Sequence, residues 1–163
     1  MAADADNRDA TRRGFLIGAA RFAGGLGIVP LAAGGESRAT PAAMQAAIKK
    51  VVGEAPLRKG KITIDVPPLV ENGNAVPVGV SVESPMTAED YVKAIHLFNE
   101  KNPQPYVLNV HLGPRAGRAS ISTRIRLADT QKLVAIAEMS DGTFWSDDVD
   151  VVVTLAACLE DPV

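Results

Sequence analysis

Residues 76–82 set the pattern from which much of the chain can be read. Val76, Val78, Val80 and Val82 alternate with Pro77, Gly79 and Ser81. That period of two puts one row of side chains on each face of a strand. The same alternation recurs at Ile62 and Ile64, at Leu108, Val110 and Leu112, and at Ile121, Thr123, Ile125 and Leu127. It returns in a last strand, Phe144 to Leu155, with Val149, Val151, Val153 and Leu155 on one face. Leu133 to Met139 is a further strand, and the following Asp141-Gly142 is favoured hairpin chemistry. Tyr91 to Asn99 alternates only imperfectly, so helix and strand compete there, and its β-branched and aromatic content favours strand. Pro67-Pro68, Glu71-Asn72-Gly73-Asn74, Ser84-Pro85-Met86-Thr87, Asn102-Pro103-Gln104-Pro105 and Pro114 with Gly117 punctuate these runs as turns.

One segment keeps the other period. Thr40-Pro41 reads as an N-cap with proline at the first helical position. Met44, Ala47, Ile48, Val51 and Val52 recur at helical spacing, and Gly53 stands where a C-terminal cap belongs. The stretch from Gly53 to Gly60 is expected to be a linker. The pattern predicts an all-β protein, an antiparallel β-sandwich of about seven strands preceded by one short N-terminal helix.

The first 39 residues belong to a different kind of pattern. Thr11-Arg12-Arg13-Gly14-Phe15-Leu16 resembles the twin-arginine export consensus. A weakly hydrophobic Gly- and Ala-rich run follows to Ala33, interrupted by Arg21, which is a poor fit to the roughly 20 uncharged apolar residues of a membrane span. Cleavage near Ser37-Arg38-Ala39 would start the mature chain near Thr40. The expected organisation is a twin-arginine signal peptide over 1–39, a sandwich domain over 40–155 and a C-terminal arm over 156–163. The expected location is the periplasm, with no membrane association after cleavage.

Composition narrows the function. A net charge of −2 and 4% aromatic residues give no basic groove and no stacking surface for nucleic acid. Conventional catalytic apparatus is absent from the pattern. His96 and His111 lie on different predicted strands, off metal-ligand spacing, and His111 reads as solvated. Gly113-Pro114-Arg115-Ala116-Gly117 is a turn, and Asp147, Asp148 and Asp150 read as a solvated strand end. No metal site and no cofactor are expected.

With Cys158 as the one cysteine, no internal disulfide can form. Cys158 lies beyond the last strand, in Ala156-Ala157-Cys158-Leu159-Glu160-Asp161-Pro162-Val163. Two readings stand on the residues alone: a small apolar side chain packed at the sandwich edge, or an unpaired terminal thiol in an oxidising compartment, open to loading.

Several blocks bear on that choice. Ile62-Thr63-Ile64-Asp65-Val66-Pro67, Glu71-Asn72-Gly73-Asn74-Ala75-Val76-Pro77-Val78, Ser84-Pro85-Met86 and Tyr91-Val92-Lys93-Ala94-Ile95-His96 resemble, in order, blocks of the SoxY family of thiosulfate-oxidation carrier proteins. Ser122-Thr123-Arg124-Ile125-Arg126-Leu127-Ala128 and Ala137-Glu138-Met139-Ser140-Asp141-Gly142 continue the match. The resemblance implies an immunoglobulin-like sandwich that pairs with a second small sandwich protein, SoxZ, as a heterodimer. It implies a C-terminal cysteine, here Cys158, that carries sulfur intermediates to several periplasmic enzymes while the carrier itself catalyses nothing. The arm departs from the family's Gly-Gly-Cys-Gly-Gly. Ala156, Ala157, Cys158, Leu159 and Glu160 resemble instead a SoxY-related branch with an Ala-Ala-Cys-Ile-Glu arm, associated with periplasmic quinoprotein dehydrogenase systems. Alanines give less backbone freedom than glycines, and Glu160 beside the thiol is expected to raise its pKa modestly and to disfavour anionic cargo. The competing function is a non-catalytic sandwich adaptor that binds a dehydrogenase or sulfur enzyme. A thiol oxidoreductase lacks the second cysteine it would need.

Overall fold

The alternation seen in the sequence builds two sheets with a helix laid on the outside of one. The structure, a computed structural model, describes residues 40–157; the Arg12-Arg13 signal and the Cys158, Leu159 and Glu160 of the arm lie outside the described residues. The elements in chain order are α1 (Pro41–Val52), β1 (Leu57–Lys59), β2 (Ile62–Asp65), β3 (Leu69–Val70), β4 (Val76–Val82), β5 (Val92–Asn99), β6 (Tyr106–His111), β7 (Ala119–Ile125), β8 (Gln131–Met139) and β9 (Phe144–Val153). The larger sheet runs β1-β9-β8-β5-β6, with β3 also on β9, and the smaller runs β2-β4-β7.

The core lies between the sheets. Val76, Val78, Val80 and Val82 from β4 meet Ile95 and Leu97 from β5, Leu133, Ala135 and Ala137 from β8, and Val151 and Val153 from β9. Pro77 is tolerated in β4 because β2 pairs only from Gly79 onward, which leaves β4 with one neighbour at that point.

The imperfect alternation of residues 91–99 has a structural cause. Helix α1 lays Met44 and Ile48 on the outer face of the large sheet, against Phe98, Val134 and Ile136. Both faces of β5 and β8 are therefore covered at their centres, and the polar half of the pattern disappears. The helix begins as the sequence expects: Thr40 Oγ1 accepts the Ala43 N–H at 3.1 Å, and Gly53 closes the helix at φ 62°.

The expected linker contains a strand. Leu57–Lys59 pairs in parallel with Phe144, Trp145 and Ser146 of β9, and Leu69–Val70 pairs in parallel with Val152 and Val153. These two short strands cover successive stretches of the same β9 edge. They bring the strands from about seven to nine and add parallel pairings to an otherwise antiparallel sandwich. All three residues of β1 are exposed, so backbone bonds without a buried row hold the strand, and no periodicity marks it.

The β8–β9 hairpin turns as Asp141-Gly142 predicts. Asp141 Oδ1 accepts from Thr143 N–H at 2.8 Å, and Gly142 takes φ 80°. The last strand ends at Val153 rather than Leu155, and Leu155 is exposed because the chain has already left the sheet.

Candidate functional site

Cys158 follows directly on a short stretch of chain that is tied down by backbone. Thr154 N–H donates to Val70 O at 3.0 Å, Gly73 N–H to Leu155 O at 2.8 Å, and Ala157 N–H to Leu127 O at 3.0 Å. Leu127 N–H in turn donates to Gly73 O at 2.9 Å. Three segments distant in sequence thus meet at one node: the turn after β3, the exit from β7, and the exit from β9.

Gly73 makes the node possible. A Cβ there would sit 2.4 Å from Leu127 O and 2.8 Å from Ala157 N, closer than side-chain carbons come to backbone atoms. Asn72 precedes it and accepts the Asn74 N–H at 2.9 Å on its side-chain oxygen, which shapes the short 3-10 turn Gly73–Ala75. Leu127 is fully buried, and Ala157 is only 8% exposed. Ala156 is exposed, but Ala157, assigned by sequence to the arm, is a packed residue of the domain.

The other candidates resolve as follows. His111 is exposed and shares a 3.0 Å contact between its Nε2 and Asn109 Nδ2. His96 is buried beneath the outer face. Its Nδ1 and the Tyr106 hydroxyl share a 2.6 Å hydrogen bond, its ring stacks with Tyr106 and Phe98, and Nε2 has no partner among the described residues. Burial holds its pKa below the ordinary imidazole value; Glu138 opposes that shift and His111 adds to it. Asp148 is held by Lys59 and Lys132, whose hydrogen bonds lower its pKa, and Asp150 lies 3.6 Å from Lys132. Among the described residues no three His, Cys, Asp or Glu side chains come together to hold a metal ion.

The Gly73 node was missed in the sequence, where Asn72-Gly73 reads only as a turn. A glycine needed for close backbone approach looks the same there as one needed for a bend.

Comparison with known proteins identifies the family. The family model for sulfur oxidation protein SoxY matches residues 48–158, a span that runs to the cysteine. The solved sulfur carrier protein SoxY from Chlorobium limicola f thiosulfatophilum is similar at TM-score 0.60 and 29% identity, over 70% of this chain and 98% of that one. A superoxide reductase (neelaredoxin) from Ignicoccus hospitalis is similar at TM-score 0.52 and 22% identity, over 73% of this chain and 97% of that one. That likeness is one of fold alone. No curated protein matches the sequence.

Proposed function

The chain belongs to the SoxY family of sulfur oxidation proteins, and from that premise we propose that it is a periplasmic covalent carrier whose working atom is the Cys158 sulfur. The observation that carries the reading is the node at Gly73. It fixes the backbone through Ala157, one residue short of the single cysteine in the sequence.

The chemistry needs no second cysteine. A Cys158 thiolate attacks the outer sulfur of a donor's disulfide-type bond. The new S–S bond forms as the donor's inner sulfur leaves with the electron pair, so no external oxidant is consumed. The same bond, attacked by an acceptor thiolate, releases the cargo and regenerates the Cys158 thiolate. Export through Arg12-Arg13 places the protein in the oxidising compartment where such adducts persist.

Partner enzymes of sulfur oxidation, or of a quinoprotein-associated pathway, perform the conversions, and a SoxZ-like sandwich forms the heterodimer. Support for a partner comes from the open edges: β6 ends the large sheet, and β2 and β7 bound the small one.

Intact-mass measurement of the protein taken from its own cells tests the reading. It should show an adduct on Cys158 that reductant removes, and Cys158→Ser should abolish pathway activity while shifting stability by no more than about 0.5 kcal/mol. An unmodified, unreactive Cys158 with full activity in the serine variant would favour the adaptor instead.

A further inference from the structure

Charge along the chain is segregated in one place. From Lys101 to Ala128 the sequence holds no Asp or Glu, while Lys101, Arg115, Arg118, Arg124 and Arg126 all fall within it, in a chain of net charge −2. That stretch contains β6, the connection after it and β7, which together form one open side of the sandwich. Arg115 and Arg118 stand at one end of this side, in the connection, and Arg124 and Arg126 at the other. All four arginines are exposed, and none has an acidic partner among the described residues. Lys101 is paired with Asp129 at 2.9 Å.

β7 is also the longest open strand edge, seven residues against six in β6 and four in β2. The ladder shows which of its groups are free. Glu83 N–H donates to Lys61 O at 2.7 Å, so the odd-numbered residues of β4 bond to β2 and the even-numbered ones to β7. In register with them, Ala119, Ile121, Thr123 and Ile125 bond to β4, and Ser120, Ser122 and Arg124 turn their N–H and C=O outward. No backbone bond beyond that ladder reaches residues 119–125 among the described residues.

Between β6 and β7 the core comes to the surface. A cleft of about 360 Å³ lies there, lined by Leu108, Thr123, Arg124 and Arg126 among others, and Val107, Leu108 and Ile121 are only half-buried. Charge on an edge strand guards it against self-association, but a guard needs no half-buried apolar row beside it. Asn99 Oδ1, buried in the cleft wall without a partner, is an acceptor, which argues against a guest that brings acceptors alone. A polypeptide backbone brings both donors and acceptors.

We propose that β7 is the docking edge for an extended acidic segment of a partner protein. The segment alternates acidic and apolar residues and adds to the small sheet beyond β7. Its backbone pairs with Ser120, Ser122 and Arg124, its apolar face covers Ile121 and Leu108, and its carboxylates meet Arg124 and Arg126. This inference shares with the proposed function only the expectation of a protein partner and is independent of Cys158.

The test uses the full chain, native and as Cys158→Ser. The probe is a capped fluorescent peptide that alternates glutamate and valine over the length of β7, followed by anisotropy; a lysine–valine peptide and a heparin oligosaccharide are measured beside it. Ser122→Pro removes an outward N–H while keeping every bond to β4. Binding of the glutamate–valine peptide should slow amide exchange at Ser120, Ser122 and Arg124 in the native protein. Its affinity should weaken about tenfold or more in Ser122→Pro and in the double reversal Arg124→Glu with Arg126→Glu. Equal binding by Cys158→Ser keeps this result standing if the carrier reading fails. No peptide binding, equal binding of the lysine–valine peptide, or exchange unchanged at all three amides would overturn the proposal. Heparin binding tighter than the peptide, with peptide affinity unmoved by Ser122→Pro, would assign the arginines to a polyanion and overturn it as well.

Discussion

Gly73→Ala is the substitution on which the account of the arm root stands or falls. The added Cβ would lie 2.4 Å from Leu127 O, 2.8 Å from Ala157 N and 3.1 Å from Val153 Cγ1, where contacts under 3.0 Å are essentially never seen. Two of these neighbours are backbone atoms of buried segments, so neither can rotate away as a side-chain tip does. The Leu127 carbonyl must retreat by more than half an ångström, and it is the acceptor for Ala157 N–H. Overpacking of this kind costs about 1–3 kcal/mol, and weakening the Ala157 and Leu127 hydrogen bonds adds about 1 kcal/mol for each one lost. The expected loss is about 3 kcal/mol, seen as a midpoint lowered by roughly 10 °C in thermal unfolding followed by circular dichroism. Gly113→Ala is the matched control, since a Cβ there meets nothing within 4 Å and its φ of −133° suits any residue. A second readout is local: thiol labelling of Cys158 should change rate in Gly73→Ala and not in Gly113→Ala. A Gly73→Ala protein as stable as the control, with unchanged labelling, would show that the three segments do not meet as described.

Further expectations follow from other parts of the molecule. His96 titrates below the ordinary 6.5 because burial disfavours its charged form. The unfolded chain therefore binds the proton more readily, so His96's contribution is whole above about pH 6.5 and is lost as pH falls toward its folded value; urea midpoints between pH 7.5 and 5 should drop more steeply for the native protein than for His96→Gln. Ile48→Ala removes a 5% exposed side chain from the contact with Phe98, Val134 and Ile136, and chemical denaturation should show a loss of about 2 kcal/mol; no loss would mean that α1 is not part of the cooperative unit. Replacing Arg12 and Arg13 together by lysine should leave precursor in the cytoplasm, and normal periplasmic accumulation on immunoblotting would remove the export assignment.

The sequence revealed elements wherever one face of an element is buried and the other wet. β4, β7 and the hairpin at Asp141-Gly142 were readable for that reason, and α1 announced itself through Thr40, Pro41 and Gly53. β5 was ambiguous because α1 covers its outer face, a tertiary fact that no local window contains. β1 and β3 were invisible because strands of three and two residues held by one edge of β9 leave no buried row to read. The candidate site divided the same way. Cys158 stands out by being the one cysteine, whereas Gly73 and Leu127 matter only through backbone atoms whose meeting depends on the whole topology.

If Cys158 is loaded as proposed, the tie at Ala157 sets what its segment has to do. The backbone of Ala157, the last described residue, is fixed to that of Leu127. Extending the arm requires breaking the Ala157–Leu127 hydrogen bond and exposing a side chain that is now 8% exposed. One net hydrogen bond and a methyl group make that release cost about 1–2 kcal/mol. A partner enzyme that draws the arm out must offset this cost from its own contacts with the domain, an affinity penalty of about five- to thirty-fold. An enzyme that recognised the cysteine segment alone, without touching the domain, would meet that penalty uncompensated. On the proposed carrier reading, discrimination between partners would fall on the sandwich surface around the root, where Gly73, Leu127 and Leu155 converge, as much as on the residues flanking the thiol.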